Sequence, residues 1–461
     1  MSVPATHNRT AAWKDSDGRH HLHPFTDTKA LASEGGSRII VKAEGNHLTD
    51  SDGRQVLDAM AGLWCVNVGY GRRELAEAAY SQMLELPYYN SFFKTATPPS
   101  IELAEKLAAI TPAGLNHVFY GSSGSEANDT IVRMVRHYWQ IKGQPERTVF
   151  ISREHAYHGS TMASASLGGQ AAMHGQGHLP LPGFEHVMPP YWFDYGGDLS
   201  PEAFGLKAAQ AVEDRILEIG PEKVAAFIGE PIQGAGGVII PPNSYWPAIQ
   251  TICDKYGILL IADEVITGFG RTGHWFACEH FGIKPDIMTL AKGITSGYLP
   301  LSAVMVGERV AETLIEQGGE FFHGYTYSGH PACCAVALAN IALLEREGLV
   351  ERVRDETGPY LAARLQDIAE HPLVGEVRSL GLIAAVELSA DKASRAHFEP
   401  LGRAGTICRD HCLAQDVVMR AVRDAVIISP PLTFGKPEID RCIEVLGRAL
   451  DATAKDLGVQ L

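Results

Sequence analysis

The sequence predicts an α/β protein. A large domain carries a mainly parallel sheet sandwiched by helices, and a smaller α/β domain is built from the chain ends. Three observations carry this expectation. Short, continuous apolar runs recur between about residues 100 and 306, helical stretches separate several of them, and the pattern changes near residue 331. Continuous apolar runs suit strands buried on both faces, and strand–helix alternation favours parallel pairing.

In chain order, the first forty or so residues are polar and rich in His and Gly, and read as an extended arm. Strand-like runs at Arg38–Glu44 and His47–Asp50 flank Gly45, and Asp52-Gly53 makes a turn before Val56-Leu57. Further strands are expected at Val118–Tyr120, Thr148–Ile151, Ala225–Ile228, Gly257–Ala262, Ile287–Ala291 and Leu301–Val306. A helix over Glu126–Trp139 places Ile131, Met134, Val135 and Tyr138 on one face and is stopped by Gly143 and Pro145. A second helix spans Trp246–Tyr256, and a third, Ala332–Glu347, opens the C-terminal part, where strands fall at Leu382–Leu388 and Ala425–Ser429. The expected division is therefore 1–60 for the arm and part of the small domain, 61–330 for the large domain, and 331–461 for the rest of the small one.

Bulk properties narrow the function. The 461 residues suffice for two cores, and 39 basic against 54 acidic residues give a net charge of −15, which argues against nucleic-acid binding. Eight scattered cysteines are too few for a disulfide framework and read as buried thiols. The stretch Met1–His7 lacks a signal-peptide pattern, and the longest apolar run, Pro331–Leu344, is broken by Asn340 and too short to span a bilayer. A cytoplasmic protein without membrane contact is expected.

Three segments carry chemistry. The strand Leu259–Ala262 runs into Asp263-Glu264, placing two carboxylates where open α/β sheets bind ligands. A helix cap or a salt bridge suits them equally. The run Asp286–Ala291 ends in Lys292, followed by Gly293, Thr295, Ser296 and Gly297. Such a lysine can snorkel to the surface, but burial near other cations would lower its pKa and free a nucleophilic amine. The run Tyr120-Gly121-Ser122-Ser123-Gly124-Ser125-Glu126-Ala127-Asn128 leads from a strand into a helix. Its glycines and helix-start amides suit a phosphate, although Ser123 with Glu126 also fits a capping box. Acid, amine and phosphate cradle on one sheet edge match the aldehyde, ring nitrogen and phosphate of pyridoxal phosphate. A nicotinamide dehydrogenase is disfavoured, because no Rossmann fingerprint follows any strand.

With these motifs the chain resembles class III aminotransferases of PLP fold type I, specifically the ω-amine:pyruvate and putrescine (polyamine)–pyruvate transaminases. The resemblance extends from His20-His21-Leu22-His23-Pro24-Phe25-Thr26-Asp27 to the C-terminal helices. It is most specific at Met60–Asn67, Ala156–Thr161, Asp263–Gly273, Lys292-Gly293 and Gly324–Pro331. It implies that Lys292 carries the cofactor as a Schiff base and moves the proton, and that Asp263 pairs with the pyridinium nitrogen. Tyr157 would stack on one ring face and Val265 on the other, with His158 beside them. Gly124 and Ser125 would hold the phosphate, helped by Thr326 of a second subunit, and Glu230 would sit near the ring hydroxyl. Trp64, Tyr157 and a second subunit's Phe92 would form the amine pocket, and Arg420 would meet the carboxylate of pyruvate. Arg423 stands where relatives are expected to carry a small residue. The resemblance implies a homodimer with shared sites, with a tetramer possible. The β-alanine and γ-aminobutyrate transaminases, and a catalytically silent PLP-fold protein, are the alternatives. His20, His21 and His23 belong to the family's arm, and Cys408, His411 and Cys412 to a packed helix, so no metal is expected. Cys333-Cys334 reads as a pair of small core residues.

Overall fold

The computed structural model describes residues 9–460, so the stretch Met1–His7 lies outside the described residues. A seven-stranded sheet forms the centre of the large unit. Across it run the strands 115–121, 302–307, 287–290, 259–263, 224–229, 149–153 and 184–187. All pair in parallel except 302–307, which is antiparallel to both neighbours. Because that strand is inverted, its first residue, Ser302, lies opposite Gly121 at the edge where the other strands end. Strands 224–229, 259–263, 287–290 and 302–307 are buried throughout, as their continuous apolar runs require.

The six large-domain strands expected from sequence are present, with ends shifted by up to three residues. Gly257 closes the helix Tyr245–Tyr256 with φ 63, so the following strand begins at Leu259 rather than at the glycine. The strand Phe184–Val187 was not expected; it is only four residues long and sits at the sheet edge. The helix Gly124–Ile141 starts two residues before Glu126, capped by Ser123, whose side chain accepts from the Glu126 N–H.

The extended arm is corrected. Residues Thr10–His20 and Thr28–Ser33 are helical. The first of these helices buries only Thr10, so no apolar stripe announces it. It carries Arg19–Asp15 and His21–Asp17 pairs at i,i+4 spacing, and Asp27 caps the second helix through the Lys29 and Ala30 amides.

Two four-stranded sheets complete the fold. In one, 40–44, 47–50 and 55–58 are joined by 417–418, with Leu57 and Asp58 opposite Val417 and Val418 in parallel register. The other comprises 374–380, 383–388, 425–428 and 420–422. The chain ends therefore share a sheet, and Val418 leads directly to Arg420.

Candidate active site

A cavity at the C-terminal edge of the large sheet is lined by Ser122–Ser125, Asn128, Tyr157–Gly159, Glu230, Asp263, Val265, Lys292, Gly297 and residues 299–301 among others. Eight of the sequence-expected residues meet there: Gly124, Ser125, Tyr157, His158, Glu230, Asp263, Val265 and Lys292.

Asp263 ends its strand fully surrounded by protein. One carboxylate oxygen accepts from His158 Nδ1 at 2.7 Å and Asn128 Nδ2 at 2.9 Å, and the other accepts from the Val265 N–H at 3.1 Å. Burial alone would raise its pKa, but these partners, His158 foremost, hold it below the ordinary value. Asp263 is thus a carboxylate kept ionised in a dry site. Its neighbour Glu264 plays a different part, accepting from Thr267 Oγ1 and the Cys278 N–H and so closing the loop that follows.

Lys292 is half-buried just beyond the end of its strand, and its pKa is lowered chiefly by desolvation there. Its φ of 46 is a left-handed backbone that few side chains adopt. The loop after it is pinned by Asn340, which donates to the carbonyls of Gly293 and Ile294 and accepts from Ser296 Oγ. Gly293 has no room for a side chain, since a Cβ would lie 2.7 Å from Asn67 Nδ2.

The Ser122–Ser125 turn lines the cavity and opens an 18-residue helix, whose first amides lack intrahelical acceptors; the Glu126 carboxylate takes the Ser122 N–H and Ser123 Oγ takes that of Glu126. A Cβ at Gly124 would meet Val265 Cγ2 at 3.2 Å, so glycine lets the cup and Val265 close on each other. Ser125 Oγ accepts from the Ser160 N–H at 3.0 Å, leaving its own proton to donate. Glu230 accepts from the N–H groups of Tyr157 at 3.1 Å and Gly234 at 2.9 Å, and burial raises its pKa.

Trp64 is buried beside Lys292 Nζ, 5.5 Å from the ring centroid, and the Arg420 guanidinium lies 4.7 Å from the same ring. Phe92 and Thr326 fall outside this cavity: Phe92 packs on Gly324, and the Thr326 carbonyl accepts from Tyr88 Oη. His21 and His23 are gathered with Ser37 around Asp17, at 3.1, 2.8 and 2.5 Å, and these hydrogen bonds account for their grouping. Cys408 and Cys412 are buried, whereas His411 turns to Asp456.

The sequence does not mark Asn128 as a partner of Asp263, nor does it mark Asn340 or Asp58. Asp58 gathers the N–H groups of Met60 and Gly62 and the Tyr70 hydroxyl in the turn that leads to Trp64. Nothing in the local pattern marks Asn128 or Asn340, because their partners are distant in sequence; Asp58 binds within twelve residues and looks like any strand-end aspartate that caps a turn.

The residues fit pyridoxal phosphate on the structure's own terms. A half-buried amine with a lowered pKa, an ionised buried carboxylate and a turn that opens a helix converge, and the buried His158 Nε2 has no partner among the described residues. Fold and site together define a pyridoxal-phosphate-dependent enzyme of fold type I. More narrowly, the chain belongs to the class-III aminotransferases, whose family model matches residues 31–450. It is 56% identical over 454 residues to the putrescine–pyruvate aminotransferase of Pseudomonas aeruginosa, covering 98% of this chain and 99% of that protein. It is 43% identical to the diaminobutyrate–2-oxoglutarate transaminase of Halomonas elongata, covering 97% and 98%. The crystal structure of the ω-transaminase from Pseudomonas jessenii in complex with PMP superposes with a TM-score of 0.94 at 44% identity, covering 96% and 99%.

Proposed function

We propose that this aminotransferase moves the amino group of a primary amine, a diamine or polyamine or an aryl-alkyl amine, to pyruvate, giving an aldehyde or ketone and alanine. The observation that carries this reading is the Trp64 ring beside Lys292 with Arg420 over it. An amine without a carboxylate needs the aromatic wall alone, whereas pyruvate needs the guanidinium as well.

When bound, pyridoxal phosphate supplies an aldehyde that accepts the amino group and a ring that takes up electrons from the substrate carbon. Lys292 would be its attachment point and afterwards the proton carrier, and the lowering of its pKa by burial favours the neutral amine that this requires. Asp263 would hold the ring nitrogen's proton, and His158 and Asn128 keep Asp263 ionised. Gly124 and Ser125 would hold the phosphate and Tyr157 and Val265 would flank the ring, while Glu230 orients the Tyr157 segment. Phe92 and Thr326 serve the site of a second copy of the chain, in a homodimer that can pair further into a tetramer. The large domain is taken as 61–330 and the small one as 331–461 together with part of 1–60. A cytoplasmic address suits the eight free cysteines. Among the described residues no helix is long and apolar enough to cross a membrane.

The test is alanine formation from pyruvate with putrescine, spermidine, 1-phenylethylamine, β-alanine and γ-aminobutyrate, using protein whose visible absorbance shows bound cofactor. The first three should react faster than the two amino acids. The reverse ranking would make the enzyme a β-alanine or γ-aminobutyrate transaminase.

A further inference from the structure

The hairpin that carries Arg420 turns through a second arginine. Strands 420–422 and 425–428 pair with Val422 opposite Ala425, leaving Arg423 and Asp424 as a two-residue turn. Arg423 has φ 53. The first central position of such a turn favours glycine when φ is positive. An arginine is strained there, so its side chain must supply something that glycine cannot.

What it supplies is a bridge to the large domain. The guanidinium reaches Asp194 at 3.1 Å and the Gly236 carbonyl at 3.2 Å, and lies over the Tyr191 ring at 5.1 Å. His155 Nε2 is 3.5 Å away. Burial, with the Arg423 charge, pushes that imidazole down to about 4, so it is neutral beside the guanidinium. Arg378, from the same small sheet, donates to the next two carbonyls, Gly237 at 2.6 Å and Val238 at 2.8 Å. Three consecutive carbonyls are therefore gripped from the small domain. The gripped segment begins at Gly234, whose N–H donates to Glu230, and Glu230 also accepts from the Tyr157 N–H. The turn is closed from behind by the helix 403–414, where a Cβ at Gly405 would collide with the Arg423 carbonyl oxygen.

We propose that Arg423 is a positioning residue. By clamping the 420–428 hairpin to the segments around Asp194 and Gly236, it fixes where Arg420 presents its guanidinium to the keto-acid carboxylate. This rests on the reading of Arg420 as the carboxylate-binding group. Arg423 itself is committed to Asp194 and Gly236 and does not bind substrate.

The experiment compares the holoenzyme with Arg423→Gly, Asp194→Asn and Arg420→Ala in separate half-reactions by stopped flow. Glycine accepts the turn's backbone, so Arg423→Gly removes the clamp without adding strain, and Asp194→Asn weakens the same contact from the other side. Each should raise the KM for pyruvate by roughly tenfold, the worth of one charge-assisted hydrogen bond, with kcat at saturating pyruvate nearly unchanged. Conversion by 1-phenylethylamine and the return with propanal should stay within about twofold, since neither uses a carboxylate contact. An unchanged pyruvate KM in Arg423→Gly, while Arg420→Ala raises it, overturns the positioning role. If Arg420→Ala leaves pyruvate unaffected, the reading of Arg420 fails and takes this inference with it. Equal losses in both half-reactions mean general packing and also overturn it. Should Arg423→Gly fail to fold, Asp194→Asn decides by the same criteria.

Discussion

At Asp263 a buried charge is kept ionised by three hydrogen bonds, from His158, Asn128 and Val265. An amide at this position cannot hold a ring proton as a carboxylate does. Asp263→Asn should leave a folded protein that binds cofactor but has lost about 10²-fold or more in turnover, roughly 3 kcal/mol. Near-normal single-turnover rates would show that the charge is not needed. At Lys292, borohydride reduction and peptide mapping should recover the pyridoxyl group on that residue; label on another lysine would move the site. Both residues were legible in the sequence because each ends an apolar strand, a place where a charge needs a reason. Asn128, the partner of Asp263, was not, since a polar residue early in a helix looks the same whether it faces solvent or a carboxylate.

The segment after Lys292 shows what an element contributes. A residue at φ 46 persists only where its surroundings hold it. Asn340, in the middle of the helix Pro331–Arg346, binds the carbonyls of Gly293 and Ile294 and the Ser296 hydroxyl. In the sequence Asn340 only interrupts an apolar run, with no hint of a partner. Asn340→Ala leaves those buried groups unpaired and should cost about 2–3 kcal/mol in denaturant-unfolding stability. Cofactor retention should fall with it. An unchanged denaturation midpoint would mean that the loop holds itself. The central strands could be read from composition because burial on both faces leaves a continuous apolar signature. The helix Thr10–His20 could not, because it buries almost nothing and is supported by charge pairs.

Across the whole molecule, Phe92 and Thr326 lie away from the cavity that the same chain builds around Lys292. The proposed shared-site homodimer predicts that mixing an inactive Lys292→Ala chain with an inactive Phe92→Ala/Thr326→Ala chain restores activity through hybrid dimers that contain one intact site. No recovery, once subunit exchange is demonstrated by mass, would assign each site to a single chain. One pairing has a further effect, on the order in which the chain takes shape during synthesis. Leu57 and Asp58 complete their sheet only with Val417 and Val418, and Arg54 meets Asp416 across 362 positions. Contacts so remote along the chain are slow to form and leave strand edges bare meanwhile. As translation proceeds N-terminus first, the 55–58 strand emerges long before its mate, while every strand of the central sheet is already available by residue 307. The Lys292 cavity can therefore take shape on the ribosome. The seat of Trp64 and Arg420 must wait for nearly the full chain.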